Sequence, residues 1–526
     1  MNEIGTFDIL GPNMIGPSSS HTAGALRIAF IAGKMVEKPA AVRFVLYGSF
    51  ARTYHGHGTD RALVGGILGY HPDDERIRDS FEHAKEAGLD FTFEENFTDK
   101  EIYPNTVDIY VKDENGNEMS LRGKSIGGGN AVITRLNGVD VDLTGNYSTI
   151  VVQHIDKKGT LAFVTAVLSA YDLNIGSLRL YRESKGKMAY AIIEVDTMVS
   201  SQVINALRGF EAVKKRSFGS GDRIWTDGGR NDEFYKWCRT FESTAEKENK
   251  KISEAMFERE TTFLEQDPEK TRAKMKKAWS IMQASAKKPL KENIVSMGGM
   301  IGGESRKLHT LRENKKNLCG DVVSKAIAYA VGVLEVNASM GLIVAAPTAG
   351  SSGVIPGVCC SLQENYGFTD EEICQALFNA AAVGYLITRN ATTAGAEGGC
   401  QAEVGAASAM AASAAVELFG GTPAQCLDAA SFAIVNILGL VCDPIGGLVE
   451  NPCQNRNAMG ASNALISAEL SMAGIKSITP IDETIGVMYA VGRSIPSELR
   501  ETSMGGMAVA KSACEACAAC AKETQK

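Results

Sequence analysis

Thr149-Ile-Val-Val-Gln-His-Ile155, Asp156-Lys-Lys-Gly159 and Thr160-Leu-Ala-Phe-Val-Thr-Ala-Val-Leu168 form one continuous stretch whose hydrophobic period changes partway along. The first seven residues are rich in β-branched side chains, which fit a pleated strand better than a helix. Asp156 and Gly159 mark a turn, and Leu161, Val164, Val167 and Leu168 then recur at helical spacing. Downstream, Ile175 to Tyr181 alternates as a strand, Lys185 and Gly186 supply a hairpin turn, and Ala189 to Val195 is the return strand. Val203, Ile204 and Leu207 lie on one helical face, and a last strand is expected near Val213. Strand, helix, strand, strand, helix and strand within about 70 residues is the split βαβ, ferredoxin-like order.

Residues on either side read differently. Before this unit, a Gly/Ser-rich opening from Gly16 to Gly24 leads into a helical pattern. Val42 to Tyr47 and Thr106 to Val111 are strand candidates, and Gly127, Gly128 and Gly129 make a turn. That mixture predicts an α+β domain. After the unit, residues 223–285 are dense in charge and predict amphipathic helices, with a cap at Ser253 and a break at Pro268. From residue 286 onward the chain is rich in Ala, Gly and Met, with helical patterns at Ala326 to Val336 and Val404 to Leu418. The 526 residues are too many for one ordinary core. The expectation is a multidomain chain. It has an α+β N-terminal domain (1–146), a ferredoxin-like βαββαβ middle domain (147–222), a helical linker (223–285) and an all-α C-terminal catalytic domain (286–526).

The formal net charge is −8, which argues against a nucleic-acid partner bound by electrostatics. Met1, Asn2 and Glu3 open the chain without a basic or apolar leader. The most apolar run, Ala429 to Val449, contains Asn436, Asp443 and Pro444, which are costly in lipid. A cytoplasmic protein outside the membrane is expected. Its twelve cysteines then belong to a reducing compartment, where thiols act as ligands or core residues. None precedes Cys238.

Three cysteines stand apart. Cys400 follows a glycine pair in Gly395-Ala-Glu-Gly-Gly-Cys-Gln-Ala-Glu403, Cys442 precedes Asp443-Pro444, and Cys453 follows Pro452. Proline interrupts helices, so these thiols belong at element ends, where free backbone N–H groups favour a thiolate. Thiolates of that kind suit an iron–sulfur centre. Cys359, Cys360, Cys374 and Cys426 sit in apolar or helical runs and read as small buried hydrophobes. Cys514, Cys517 and Cys520 spell C-x-x-C-x-x-C but lack the fourth cysteine and proline of a ferredoxin run. Two polar loops complete the candidates. Ser18, Ser19, Ser20, His21 and Thr22 offer hydroxyls and free N–H groups ahead of a helix, a receptor for a carboxylate. In Tyr54-His-Gly-His-Gly-Thr-Asp60, His57 suits a base or a metal ligand, and Asn105 can add an amide contact. No Walker A loop, G-x-S-x-G elbow or H-E-x-x-H is present, nor a motif for a pyridoxal-phosphate lysine.

Taken together, several stretches resemble the iron–sulfur-dependent L-serine dehydratases (L-serine ammonia-lyases) along nearly the whole chain. They are Phe7-Asp-Ile-Leu-Gly-Pro12, Ile15-Gly-Pro-Ser-Ser-Ser-His-Thr-Ala-Gly24, Gly56-His-Gly-Thr-Asp60, Tyr103-Pro-Asn-Thr106, Asn337-Ala-Ser-Met-Gly341, Ala346-Pro-Thr-Ala-Gly350 and the three cysteine contexts. The middle unit resembles an ACT domain, a module that binds amino acids or serves only structure and dimerisation. The resemblance implies a [4Fe–4S] cluster held by Cys400, Cys442 and Cys453, with no pyridoxal phosphate. One iron would be left open as a Lewis acid, and Cys514 is the candidate to cap it. It implies substrate contacts from Ser18, Ser19, Ser20, Thr22 and Asn105, catalytic roles for His21 and His57, and His57 as the base. L-serine would become pyruvate and ammonia in a homodimer, with the site assembled by domain closure. Threonine or cysteine as substrate, and a redox sensor without turnover, are the rival readings.

Overall fold

The protein is described here by a computed structural model covering residues 4–99, 102–144, 148–195, 197, 199–208, 213–219, 250–513 and 515–516. Twelve strands are described. In chain order they are β1 (Asn13–Ile15), β2 (Pro39–Tyr47), β3 (Asp90–Asn96), β4 (Thr106–Asp113), β5 (Glu118–Gly127) and β6 (Asn130–Leu136), followed by β7 (Val139–Leu143), β8 (Ser148–Ile155), β9 (Ile175–Arg182), β10 (Met188–Val195), β11 (Val213–Gly219) and β12 (Leu342–Val344).

Six of them form a sheet in the order β3-β2-β4-β5-β6-β7, parallel between β2 and β3 and otherwise antiparallel. The helices Ala25–Lys34 and Thr59–Ile67 bury Ile28, Leu63 and Val64 against Phe44, Leu46 and Ile109 of this sheet. The strands expected at 42–47 and 106–111 are present and slightly longer, and Gly127 to Gly129 turn β5 into β6.

The middle unit has the strand–helix–strand–strand–helix–strand order read from the sequence, and its sheet runs β11-β8-β10-β9 with every pair antiparallel. Alternation along β8 and β10 divides their side chains between two cores. Ile150, Val152, Ala191 and Ile193 meet Val164, Leu168, Val203 and Leu207 of the two helices. Val151, Tyr190 and Ile192 point the other way and join the core of the six-stranded sheet.

The other described residues are mainly helical, apart from the short β1–β12 pair. The helix Ala406–Leu418 is buried from Ala406 to Glu417 and lies at the centre, packed by the helices Asp370–Asn390, Pro423–Val435 and Cys453–Met472. A helix apolar on every side must be surrounded. Its alanines and serines let neighbouring backbones approach. The helices Ile252–Glu258 and Pro268–Lys291 enter the same core through Ile252, Met256, Met275, Trp279 and Met282. Ser253 does not cap the first of these. The helix starts at Ile252, and the Ser253 N–H donates to the Glu417 carboxylate at 3.2 Å. Pro268 opens the second helix instead of breaking one, since proline fits a first turn, and Asp267 caps it by accepting from the Lys270 N–H at 2.8 Å.

The N-terminal residues are stitched into the helical part. Ile9, Leu10 and Met14 lie in its core, β1 pairs with β12, and Thr6 donates through both N–H and hydroxyl to Glu260 at 2.9 Å. Among the described residues no helix is long and apolar enough to cross a membrane.

Candidate active site

Cys400, Cys442 and Cys453 reach one place from three elements. Cys400 precedes a π-helical turn, Gln401–Gly405, which is anchored by the Gln401 N–H donating to the Leu440 carbonyl at 3.0 Å. Cys442 lies on an extended segment. Its N–H donates to Leu499 at 2.8 Å and its carbonyl accepts from the Glu501 N–H at 2.7 Å. Cys453 is the first residue of its helix. All three are buried and line one cavity, together with Pro17, Ser18, His57, Glu403 and Glu501. The sulfurs of Cys400 and Cys442 and a carboxylate oxygen of Glu403 all lie within 4.8 Å of one another. Cys400 and Glu403 are three residues apart, which puts them on one helical face. The carboxylate has room only because Gly395 lacks a side chain. A Cβ there would stand 2.6 Å from Glu403 Oε2 and 3.4 Å from Cys442 Sγ.

So many acidic groups in a buried space cannot all ionise without a cation. The hydrogen bond with Cys400, then burial, pushes the Cys442 thiol well up, and burial followed by the charge of Cys400 does the same to Cys453. Burial raises Glu403 to about 7, against the Thr348 hydroxyl that bonds it. Arg456 supplies one positive charge. Its Nη1 is 3.5 Å from Cys400 Sγ and 2.9 Å from the Val441 carbonyl, and its Nη2 is 2.7 Å from Asp443 Oδ1. Converging thiols held in a buried pocket, short of positive charge, are the donor set a thiophilic metal centre requires. The residues fit such a group.

Of the two imidazoles, His57 lines the same cavity and His21 stacks against it without lining it. Ser18 caps the turn Ser19–Gly24 by accepting from the His21 N–H at 3.1 Å. His21 is tethered at both ends, with Nε2 2.9 Å from Ser49 Oγ and Nδ1 3.1 Å from Ser20 Oγ. His57 Nδ1 lies 3.2 Å from the Thr53 carbonyl. A carbonyl only accepts, so Nδ1 carries the proton and Nε2 keeps its lone pair. That Nε2 is buried and makes no hydrogen bond among the described residues, and Glu501 Oε1 is 3.7 Å away. The two rings stack with centroids 4.4 Å apart. Burial lowers His57 to about 4 and holds His21 well below its usual value, so both are neutral at pH 7.

Of the expected substrate-loop residues, only Ser18 lines the cavity with His57. Ser19 accepts from the Ala349 N–H at 3.1 Å, and Thr22 donates to the His57 carbonyl at 2.7 Å, so both brace the loop. Asn105 is buried next to Pro104, whose carbonyl accepts from the Ser49 N–H at 2.8 Å. Its Oδ1 has no hydrogen bond among the described residues, and it does not line the cavity. Cys514 lies outside the described residues. The three thiols and the His57 imidazole share the cavity. The two parts are joined in this structure by contacts such as Asn337 Nδ2 to the Pro17 carbonyl at 3.2 Å. Cys359, Cys360, Cys374 and Cys426 lie in the helical core, where burial pushes the thiols of Cys359 and Cys374 up to about 12. Sequence reasoning missed Glu403, Arg456 and Glu501. The Cys400-x-x-Glu403 spacing was a usable signal for the first, and nothing local marked the others.

Comparison with known proteins agrees with this geometry. The family models described as serine dehydratase beta chain and serine dehydratase alpha chain match residues 6–137 and 247–508. The L-serine dehydratase of Streptomyces coelicolor is 30% identical over 96% of this chain and 98% of its own length. The chain belongs to the serine dehydratase family. Its helical part is 47% identical to the probable L-serine dehydratase alpha chain of Bacillus subtilis, over 49% of this chain and 85% of that one. Its N-terminal part is 42% identical to the L-serine dehydratase beta chain of Peptoniphilus asaccharolyticus, over 40% of this chain and 96% of that one. The enzyme is a lyase of this family with the alpha and beta regions in one polypeptide.

Proposed function

We propose that the enzyme converts L-serine to pyruvate and ammonia, using a [4Fe–4S] cluster held by Cys400, Cys442 and Cys453 and His57 as the base. One observation carries this. Three buried thiols and the unpartnered Nε2 of His57 face a single cavity. When bound, a cluster with one open iron supplies a Lewis acid that stabilises charge on the departing hydroxyl oxygen.

The chain's own groups do the rest. The Thr53 carbonyl fixes the His57 ring with Nε2 free, and that nitrogen takes the Cα proton. Ser18 offers a hydroxyl to the substrate, while Pro17, Val404, Pro444 and Val449 wall off water. Loss of hydroxide leaves aminoacrylate, which tautomerises to an imine and hydrolyses. No pyridoxal phosphate takes part in the proposed reaction.

The remaining assignments belong to the same proposal. Residues 1–146 form the β domain with the substrate loop and base, 147–222 an ACT-like ferredoxin-fold domain and 286–526 the cluster-bearing α domain, and the helices at 252–258 and 268–291, expected as part of a linker over 223–285, pack into the core of that α domain instead. The strand order β11-β8-β10-β9 supports the ACT-like assignment. The enzyme acts in the cytoplasm as a homodimer.

Anaerobic purification with iron and sulfide analysis tests the core of it. Roughly four irons and four sulfides per chain are expected, with pyruvate release from L-serine that is lost in air. Undiminished turnover after Cys400, Cys442 and Cys453 are all replaced overturns it.

A further inference from the structure

The cavity holds a carboxyl group that the reaction above leaves without a task. Glu501 sits on the segment that pairs through its backbone with Cys442, and Ser503 and Met507 tie that segment down further by donating to the Pro444 carbonyl and to Asp443. Glu501 is only 6% exposed, and its Oε1 stands 3.7 Å from both His57 Nε2 and His21 Nδ1. Neither ring is a counter-ion, since burial keeps both neutral. Burial, then the charge of Glu403, pushes the Glu501 carboxyl well above its usual range, and one backbone N–H, from Ala396, bonds it. No lysine or arginine lines the cavity among the described residues, and Arg456 is engaged by Asp443 and the Val441 carbonyl. A buried carboxylate in such surroundings is costly until a ligand brings a positive charge.

Serine carries that charge on the carbon that must lose its proton. For the Cα proton to reach His57 Nε2, the reacting atoms must come within about 3–3.5 Å. The ammonium nitrogen is one bond beyond Cα. Glu501 Oε1, 3.7 Å from Nε2, is then within hydrogen-bonding reach of it. Glu403 is placed for something else, because it lies among the sulfurs and accepts from Thr348.

We infer that Glu501 receives the α-ammonium group of the substrate and makes the site selective for an amino acid over the hydroxy acid of the same shape. This rests on the L-serine reading of the cavity. The probe pair is L-serine as substrate and L-glycerate, which replaces the ammonium by hydroxyl, as competitive inhibitor of the anaerobic holoenzyme. Glu501→Gln should keep its iron and raise the KM for L-serine roughly 10- to 100-fold, the range for a lost charged hydrogen bond. The Ki of L-glycerate should stay unchanged. Glu501→Asp keeps the charge, suits the left-handed backbone at this position (φ 58°) and should recover much of the lost affinity. An unaltered KM, an equal weakening of both ligands, or loss of iron from Glu501→Gln overturns the assignment. Iron-free or inactive wild-type protein instead overturns the function reading itself. An active, iron-replete wild type beside an indifferent Glu501→Gln variant overturns only the role of Glu501.

Discussion

Replacing Arg456 by methionine should destabilise the helical part more than replacing Arg456 and Asp443 together. The guanidinium side chain is 13% exposed and the Asp443 side chain 3%, with 2.7 Å between Nη2 and Oδ1. Asp443 Oδ2 also accepts from the Met507 N–H at 2.6 Å, so the single substitution leaves a buried carboxylate with that backbone partner and without the guanidinium. Breaking a buried pair from one side typically costs about 3–5 kcal/mol. The lower end applies, because Oδ1 meets Arg456 as an ion pair and not as a well-aligned hydrogen bond. Removing the charge as well, in Arg456→Met with Asp443→Asn, leaves mainly hydrogen bonds to replace, a cost of about 1–2 kcal/mol. The double substitution should therefore recover at least about 1 kcal/mol. Urea unfolding of the metal-free protein, followed by far-ultraviolet circular dichroism, reads this on the transition of the helices between 250 and 513. A chain of several units need not unfold in one step, so only that transition counts. Equal destabilisation by the single and double substitutions would refute the argument.

Other substitutions separate the roles assigned above. His57→Ala should retain its iron while kcat falls about 10²- to 10⁴-fold, and normal turnover would remove His57 as the base. Cys400→Ser, Cys442→Ser and Cys453→Ser should each lower iron per chain, whereas Cys359→Ala and Cys374→Ala, deep in the helical core, should not. Iron loss on changing Cys359 would mean that the wrong thiols were chosen. Gly395→Ala should cost iron too, since its Cβ would sit 2.6 Å from Glu403 Oε2. Full iron content in that variant would show that the carboxylate can move aside.

How much of this was legible in the sequence follows from where each signal is stored. The βαββαβ unit is contiguous, and its period changes between two and 3.6 at marked turns, so every element could be read. β2 and β4 announced themselves through Val, Ile and Leu. β5 did not. Met119, Leu121, Gly123 and Ser125 alternate into the core, but only two of the four are large and apolar, so the period was invisible. β3, with the sequence Asp90-Phe-Thr-Phe-Glu-Glu-Asn96, is an edge strand exposed at several positions and gave equally little sign. The helices at 252–258 and 268–291 looked like a solvated connection because charge outnumbers the few residues that are buried. Met256, Met275, Trp279 and Met282 nevertheless anchor them.

At the site, the thiols were legible because glycine and proline mark the ends of elements, and those ends are a local property. Glu501 was not, because it reaches the cavity through backbone pairing of its neighbours with Cys442, a partner far away in sequence. The Ser49 hydroxyl bonds the Glu501 carbonyl across 452 residues. Main-chain hydrogen bonds are open to any residue type, so they leave no pattern of side chains to read. The same fact makes the position informative to alter. What holds residue 501 in place is backbone, and a change from carboxylate to amide removes the charge while leaving that grip intact.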